Sequence, residues 1–241
     1  MALGIATAEQ QAIVWPKLKD EKRFHYGGMP TGIATRPETY EAWEFTHADR
    51  HDLAAMGRVW YLEAQARARM GNAPGLLEGI RKVCEVGRQG GYYWRERYHP
   101  SGQAAANPAG AEKYCEYPAN LIRIVQRFLL GVDLRRDGSI VLAPTVTEEF
   151  WQQGFGQTLT WRDRSLRYRF HRDRVTGAYA GGSSQRVGIR LPTWQTPSQV
   201  RATIHGRPTG SASEEGLIFV VLPAASAEKP CPFEIVQTES R

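Results

Sequence analysis

The chain has 241 residues, 41% of them hydrophobic and 23% charged, with seven Trp, ten Tyr and eight Phe. Such usage excludes a disordered tail, which lacks aromatic side chains in these numbers, and at roughly 150 residues per domain the length calls for one large domain or two small ones. Lys and Arg exceed Asp and Glu by 31 to 25, a formal charge of +6, too small an excess to mark a nucleic-acid protein by itself.

No apolar run approaches the roughly 18 residues that cross a bilayer, so no membrane partner is expected. The opening stretch, MALGIATAEQQAIVWPKLKDEKR, lacks the basic start and the unbroken apolar run of a signal peptide, and localisation stays open. Cys84, Cys115 and Cys231 are too few and too scattered for a disulfide framework or a paired-cysteine metal site.

Residues 1–48 read mostly as loop. The first helix is expected to open near Asp49 to Asp52 and to run to Gly71, with Leu53, Met56 and Trp60 in one stripe, Val59, Leu62 and Ala66 beside it, and Arg58, Arg67 and Arg69 elsewhere. Gly71-Asn72 stops it as a left-handed cap does, and Pro74 suits the first turn of a second helix. There Leu76, Leu77, Ile80, Val83 and Cys84 recur at helical spacing opposite Glu78, Arg81, Lys82 and Glu85. So short a connection makes the two helices an antiparallel hairpin. A third helix begins near Pro118 and holds Leu121, Ile122, Val125, Phe128 and Leu129 on one face, ending at Leu130-Gly131. Between the second and third lies the loop GGYYWRERYHPSGQAAANPAG, long enough to be functional or disordered. Its aromatic residues argue for order.

After Gly131 the period changes. Asp137-Gly138 is a turn, followed by a short apolar strand, Ser139 to Ala143. Leu166, Tyr168 and Phe170 alternate with Arg167 and Arg169, as a strand with one buried face requires. Val187, Ile189 and Leu191 repeat the pattern, as do Val200, Ala202 and Ile204; Leu217 to Leu222 and Phe233 to Val236 complete the set. The expected fold class is therefore α+β by segments: a helical part, residues 1–131, followed by an antiparallel β-sandwich, residues 132–241. Three amphipathic helices do not close a core around so long a loop. The chain is thus expected to be the C-terminal part of a longer protein, with an N-terminal helical segment missing.

The order of parts carries a resemblance. A helical hairpin, an aromatic loop with a carboxylate, a helix ending in Gly-Val-Asp, a DGSIVLAP strand and a trailing sandwich resemble the end of a six-hairpin glycosidase. Such enzymes, among them bacterial rhamnosidases, debranching enzymes and disaccharide phosphorylases, have an (α/α)6 barrel followed by a small all-β domain. The likeness runs from about Trp43 to the end and is best in AEKYCEYPANLIRIVQRFLLGVDLRRDGSIVLAPTVTEEFW, with RVGIRLPTW and GLIFVVLPA in support. It implies a partial (α/α)6 barrel, a carbohydrate substrate and a glycoside hydrolase reaction. Such a barrel has twelve helices and this chain supplies three or four. The resemblance therefore also implies that most of the barrel, and one of its two catalytic carboxylates, lies elsewhere, leaving little or no activity in this chain alone.

Glycoside hydrolysis needs one carboxylic acid to protonate the leaving oxygen and a second carboxylate as nucleophile or base, roughly 5–5.5 Å apart in retaining enzymes and 6.5–9.5 Å in inverting ones. Sugars also present apolar C–H faces that aromatic rings cover. Three segments join glutamate to aromatics. In TYEAWEF, Glu44 follows Trp43; in YYWRERYHP, an extended backbone places Trp94, Glu96 and Tyr98 on one face and Tyr93, Arg95 and Arg97 on the other; in KYCEYPAN, Glu116 stands just before a helix. The candidate acids and bases are Glu96 first, Glu116 next, then Glu44. The candidate sugar contacts are Trp43, Trp94, Tyr98, Tyr117 and Arg95. Each glutamate also has a structural reading: Glu96 in a salt bridge with Arg95 or Arg97, Glu116 as a first-turn carboxylate favoured by the helix dipole, Glu44 on a helix surface.

Other constellations are weaker. His47 and His51 have the i, i+4 spacing of helical metal ligands, but HADRH lacks the Glu of HExxH and a third ligand; helix entry with Asp49 or Asp52 as cap accounts for them better. No cofactor or metal is called for, and neither a GxSxG elbow nor a phosphate loop is present. The arginines and aromatics of WRDRSLRYRFHRDR match a single-strand-binding stripe, but strict alternation favours a half-buried strand, and no nucleic-acid partner is expected. The alternative to an enzyme is a non-catalytic carbohydrate-binding or interaction module built on the sandwich.

Overall fold

In the computed structural model residues 2–19, 55–98, 111–190 and 200–237 are described, and the chain divides into two units, Met1–Leu129 and Leu130–Arg241. The described residues form five α-helices and three sheets, a mixture of α and β structure.

The first unit opens with α1 (Ala8–Lys19), a helix with Pro16 inside it and no buried residue. Thr7 Oγ1 accepts from the Gln10 amide at 3.2 Å and Gln10 Oε1 from the Thr7 amide at 2.9 Å, a reciprocal capping box that satisfies two otherwise orphaned donors. Next come α2 (Gly57–Arg69) and α3 (Ala73–Gln89). Their connection is a Schellman turn: Gly71 takes φ +66°, and the amides of Gly71 and Asn72 donate to Ala68 O and Arg67 O at 3.1 and 2.8 Å. The Asn72 side chain then accepts from the Gly75 amide at 2.8 Å and starts α3.

The first helix begins later than the sequence pattern predicts. Ala55–Met56 form strand β1, paired antiparallel with β2 (Arg97–Tyr98), so α2 opens only at Gly57. The stripe also differs: Leu62 is exposed towards an apolar cavity of about 500 Å³ that it shares with Leu3, Ile5, Trp15 and Leu18, while Glu63 and Arg67 are buried as an ion pair at 2.7 Å.

The third helix, α4 (Glu116–Ile124), continues as a π-helical turn over Val125–Leu129. Its buried stripe is Tyr117, Ile124, Phe128 and Leu129. Ile122, expected on that stripe, is exposed because it falls off the i, i+3, i+4 set that Tyr117 and Ile124 define. Trp60 stacks on Tyr117 at 5.9 Å, and these two rings with Leu76, Val83 and Ile124 form the core of the unit.

The second unit holds β3 (Val132–Leu134), β4 (Ile140–Leu142), α5 (Glu148–Gln153), β5 (Phe155–Trp161), β6 (Arg164–Phe170), β7 (Arg174–Ala180), β8 (Gln185–Ile189), β9 (Val200–Ile204), β10 (Arg207–Thr209), β11 (Ala212–Glu214), β12 (Leu217–Leu222) and β13 (Cys231–Gln237). A six-stranded sheet runs β10-β9-β13-β7-β6-β5 and a five-stranded one β11-β12-β8-β4-β3. Their pairing is antiparallel with one exception. β4 and β8 run parallel, Ile140 opposite Val187, because α5 and the β5–β7 meander lie between them and supply the long crossover that a parallel pair requires. The wholly antiparallel expectation is corrected by that one ladder.

In β6 Leu166, Tyr168 and Phe170 are buried while Arg167 and Arg169 are exposed, the arrangement predicted by alternation. Tyr168 and Phe170 of the arginine-rich segment thus belong to the core, while Trp161 is half-buried. In β12, paired with β11 on one edge and β8 on the other, Leu217 to Val220 are buried in succession and Val221 is exposed. Leu217 and Phe219 cluster with Val141 on one face, where the Arg186 guanidinium lies 3.6 Å from the Phe219 ring centre.

Candidate functional site

The loop that carries the first-choice glutamate is built at the end of α3. Gly91 and Tyr92 both take φ +65°, and the Tyr92 amide donates to Gly87 O at 2.6 Å, turning the chain back along the helix. Trp94 is thereby laid over Gly87. A Cβ at Gly87 would come within 2.1 Å of the indole, and the indole Nε1 donates to Val83 O at 2.9 Å. Beyond Trp94 the backbone is tied to a second segment: the Glu96 amide donates to Ala111 O at 2.9 Å and the Tyr114 amide to Trp94 O at 2.8 Å. Glu96 Oε2 in turn accepts from the Ala111 amide at 3.3 Å.

The second glutamate arrives with α4. Gly57, the first residue of α2, lies against its start, where a Cβ would stand 3.0 Å from both Glu116 Cγ and the Tyr117 amide nitrogen. That approach brings Arg58 to the carboxylates. Its Nε lies 3.0 Å from Glu116 Oε1 and its Nη2 3.6 Å from Glu96 Oε1, while Arg97 Nη2 reaches the same Glu96 oxygen at 3.4 Å. Both glutamate side chains are 18% exposed. Because one guanidinium touches both, the two oxygens lie no more than about 9 Å apart, an upper limit compatible with glycosidase carboxylate pairs. The cation between them offsets their mutual repulsion.

Two polar atoms beside this cluster are buried with no hydrogen-bond partner among the described residues, Glu116 Oε2 and Tyr117 Oη. Burial, with lesser contributions from Tyr98, Glu116 and Glu63, pushes the Tyr117 phenol well above the ordinary tyrosine range.

The structure thus brings Glu96 and Glu116 together. Tyr98 is half-buried at their side, edge-on to Tyr117 at 5.6 Å, and its hydroxyl accepts from the Arg95 amide at 2.9 Å. Arg95 itself is exposed. Tyr117 and Trp94, expected from sequence as sugar contacts, are both buried: Tyr117 has no exposed surface, and the Trp94 indole lies over Gly87 and donates to Val83 O. Trp43 and Glu44, like His47 and His51, lie outside the described residues. Arg58 falls off the apolar stripe and carries no local signal of a role, since only a contact between distant segments reveals it. The exposed rings are Tyr92, Tyr93 and Tyr114, with the Lys113 ammonium 4.4 Å from the centre of Tyr93; the YYW triplet was the available signal for the first two.

Among the described residues no group of three or more His, Cys, Asp or Glu is placed to hold a metal ion, and no helix is long and apolar enough to cross a membrane.

No family model and no curated protein matches the sequence. The solved structures that the chain resembles are glycoside hydrolases, at low identity and partial coverage. An alpha-L-rhamnosidase from Dictyoglumus thermophilum aligns over 73% of this chain and 21% of its own, at 8% identity and a TM-score of 0.44. A GH127 beta-L-arabinofuranosidase from Geobacillus stearothermophilus aligns over 76% and 32%, at 11% identity and a TM-score of 0.35. A GH30 endoxylanase from Clostridium papyrosolvens aligns over 34% and 22%, at 9% identity and a TM-score of 0.25. The chain spans between 21% and 32% of the length of these three structures.

Proposed function

We propose that this chain takes part in the hydrolysis of glycosidic bonds, with Glu96 and Glu116 as the carboxylate pair, in place of the expectation that one of the two carboxylates lies elsewhere. One observation supports the reading: Arg58 contacts two glutamates from separate segments with a single guanidinium, at 3.6 and 3.0 Å, which keeps them no farther apart than the reaction allows. In this scheme one carboxyl group protonates the leaving oxygen and the other acts as nucleophile or base. Arg58 fixes their orientation, and Tyr98 and Arg95 offer a ring edge and a donor to the sugar. On the same reading the helices are part of an (α/α)6 barrel, the two sheets are the layers of a β-sandwich, and the chain turns over slowly by itself.

The test is release of p-nitrophenol from p-nitrophenyl rhamnoside, arabinofuranoside and xyloside by the wild-type chain, Glu96→Gln and Glu116→Gln. Slow release by the wild type that falls by at least about 100-fold in both variants, with melting temperatures little changed, is the expected result. Turnover untouched by either substitution, with lowered melting temperatures, would leave Glu96 and Glu116 as partners in an ion pair and nothing more.

A further inference from the structure

The second unit carries a cleft that the carboxylate pair does not use. It is an open hollow of about 780 Å³ where three connections meet: the β5–β6 turn, the β7–β8 turn and the passage from β12 to β13. The last two are tied together, because Gly181 and Ala225 exchange both backbone hydrogen bonds, at 2.8 and 3.1 Å. One wall is fixed by Arg164, whose Nη1 donates to Gln185 Oε1 at 2.9 Å and whose Nη2 donates to Ser183 Oγ at 2.8 Å. Gln185 is itself buried, and the Tyr179 hydroxyl pins the same turn through Ser183 O at 2.7 Å.

What this rigid frame presents is mixed. Arg162, held in the left-handed region at φ +53°, has no hydrogen bond or ion pair among the described residues, and beside it the Asp163 carboxylate is 70% exposed. Thr160 and Ser226 add hydroxyls, and the rest of the rim is alanine and glycine. Adjacent opposite charges do not select a polyanion, and a rim without large apolar side chains does not hold a lipid or an aromatic ligand. A guanidinium with no partner among the described residues, an exposed carboxylate whose one ion pair is the 4.0 Å contact with Arg164 Nε, and hydroxyls over small residues complement a neutral ligand in which every group both donates and accepts. The volume falls in the range of small-molecule sites, roughly 300–1,000 Å³.

We propose that this cleft binds the end of a neutral carbohydrate chain, with Asp163 accepting from neighbouring sugar hydroxyls and Arg162 donating to a third, independently of Glu96 and Glu116. The experiment is titration calorimetry of the whole chain with xylotriose, methyl rhamnoside and methyl arabinofuranoside. Wild type, Asp163→Ala, Gly182→Trp and Arg201→Ala are compared, the last at an exposed position of β9 outside the cleft. A Cβ at Gly182 meets nothing nearer than Asp163 Oδ2 at 3.6 Å, so the substitution begins without a clash and adds its bulk beside Asp163. The expected result is binding of at least one sugar by the wild type, weakened at least tenfold in Asp163→Ala and in Gly182→Trp and unchanged in Arg201→Ala. Binding of full strength in both cleft variants, binding weakened as much in Arg201→Ala, or no binding of any of the three sugars would overturn the proposal. Turnover on aryl glycosides is a separate readout, so either reading can fail while the other stands.

Discussion

Arg58 Nε meets Glu116 Oε1 at 3.0 Å, joining the second residue of α2 to the first residue of α4. The arginine side chain is 55% exposed, so solvent screens the pair and its net worth is small. A double-mutant cycle of Arg58→Ala and Glu116→Gln, read by urea unfolding, is expected to give a coupling of about 0.5–1 kcal/mol at low salt. The coupling should shrink in 1 M salt, where the screening length is about 3 Å. A coupling of zero at low salt would remove Arg58 as the element that gathers the carboxylates.

Gly87 and Gly71 make a graded pair. At Gly87 an added methyl would collide with the buried Trp94 ring, whereas at Gly71 nothing lies within 4 Å and the only obstacle is φ +66°. Gly87→Ala should therefore cost about 1–3 kcal/mol by overpacking, and Gly71→Ala about 1 kcal/mol by backbone strain. Gly87→Ala should also shift the tryptophan emission, because the indole must leave its slot. Denaturant unfolding of both variants checks the order, and equal costs would show that Trp94 is not seated on Gly87.

Tyr168 couples the second unit to pH. Burial raises its phenol from 10 to about 12, opposed by the hydrogen bond with Gln157. A folded-state value above the unfolded one means that the contribution is fully present below pH 10 and is lost as pH rises through about 12. Between these limits the melting temperature of the wild type should fall more steeply than that of Tyr168→Phe. Parallel melting curves for the two proteins would contradict the assignment.

The hairpin of α2 and α3 was legible because its signals are local: Gly71 supplies the left-handed cap, Asn72 the N-cap and Leu76, Ile80 and Val83 the stripe. β6 was legible for the same reason, its period of two being unbroken from Leu166 to Phe170. The helix α1 was missed because it has Pro16 within it and no buried stripe, although Thr7 and Gln10 spell a capping box. β5 and β7 were missed because Gly156 and Gly177 interrupt their apolar alternation, at positions where a Cβ would strike the neighbouring strand. The parallel ladder of β4 and β8 follows from connectivity, which no local pattern carries. At the candidate site Glu96 and Glu116 were legible as carboxylates among aromatics. Their meeting through Arg58 was not, since it depends on Gly57 letting α2 and α4 approach.

The central claim is that Glu96 and Glu116 act on a glycosidic bond, and chemical rescue tests it most directly. Removing a catalytic carboxylate leaves a gap that a small anion can enter, whereas removing a structural ion pair does not create a use for one. Turnover of p-nitrophenyl glycosides by Glu96→Ala and Glu116→Ala is measured with and without sodium azide. The account predicts that turnover is lost in both variants and returns in one of them with azide, with a glycosyl azide as product. Two variants that stay as active as the wild type, or two that azide leaves silent, would contradict it.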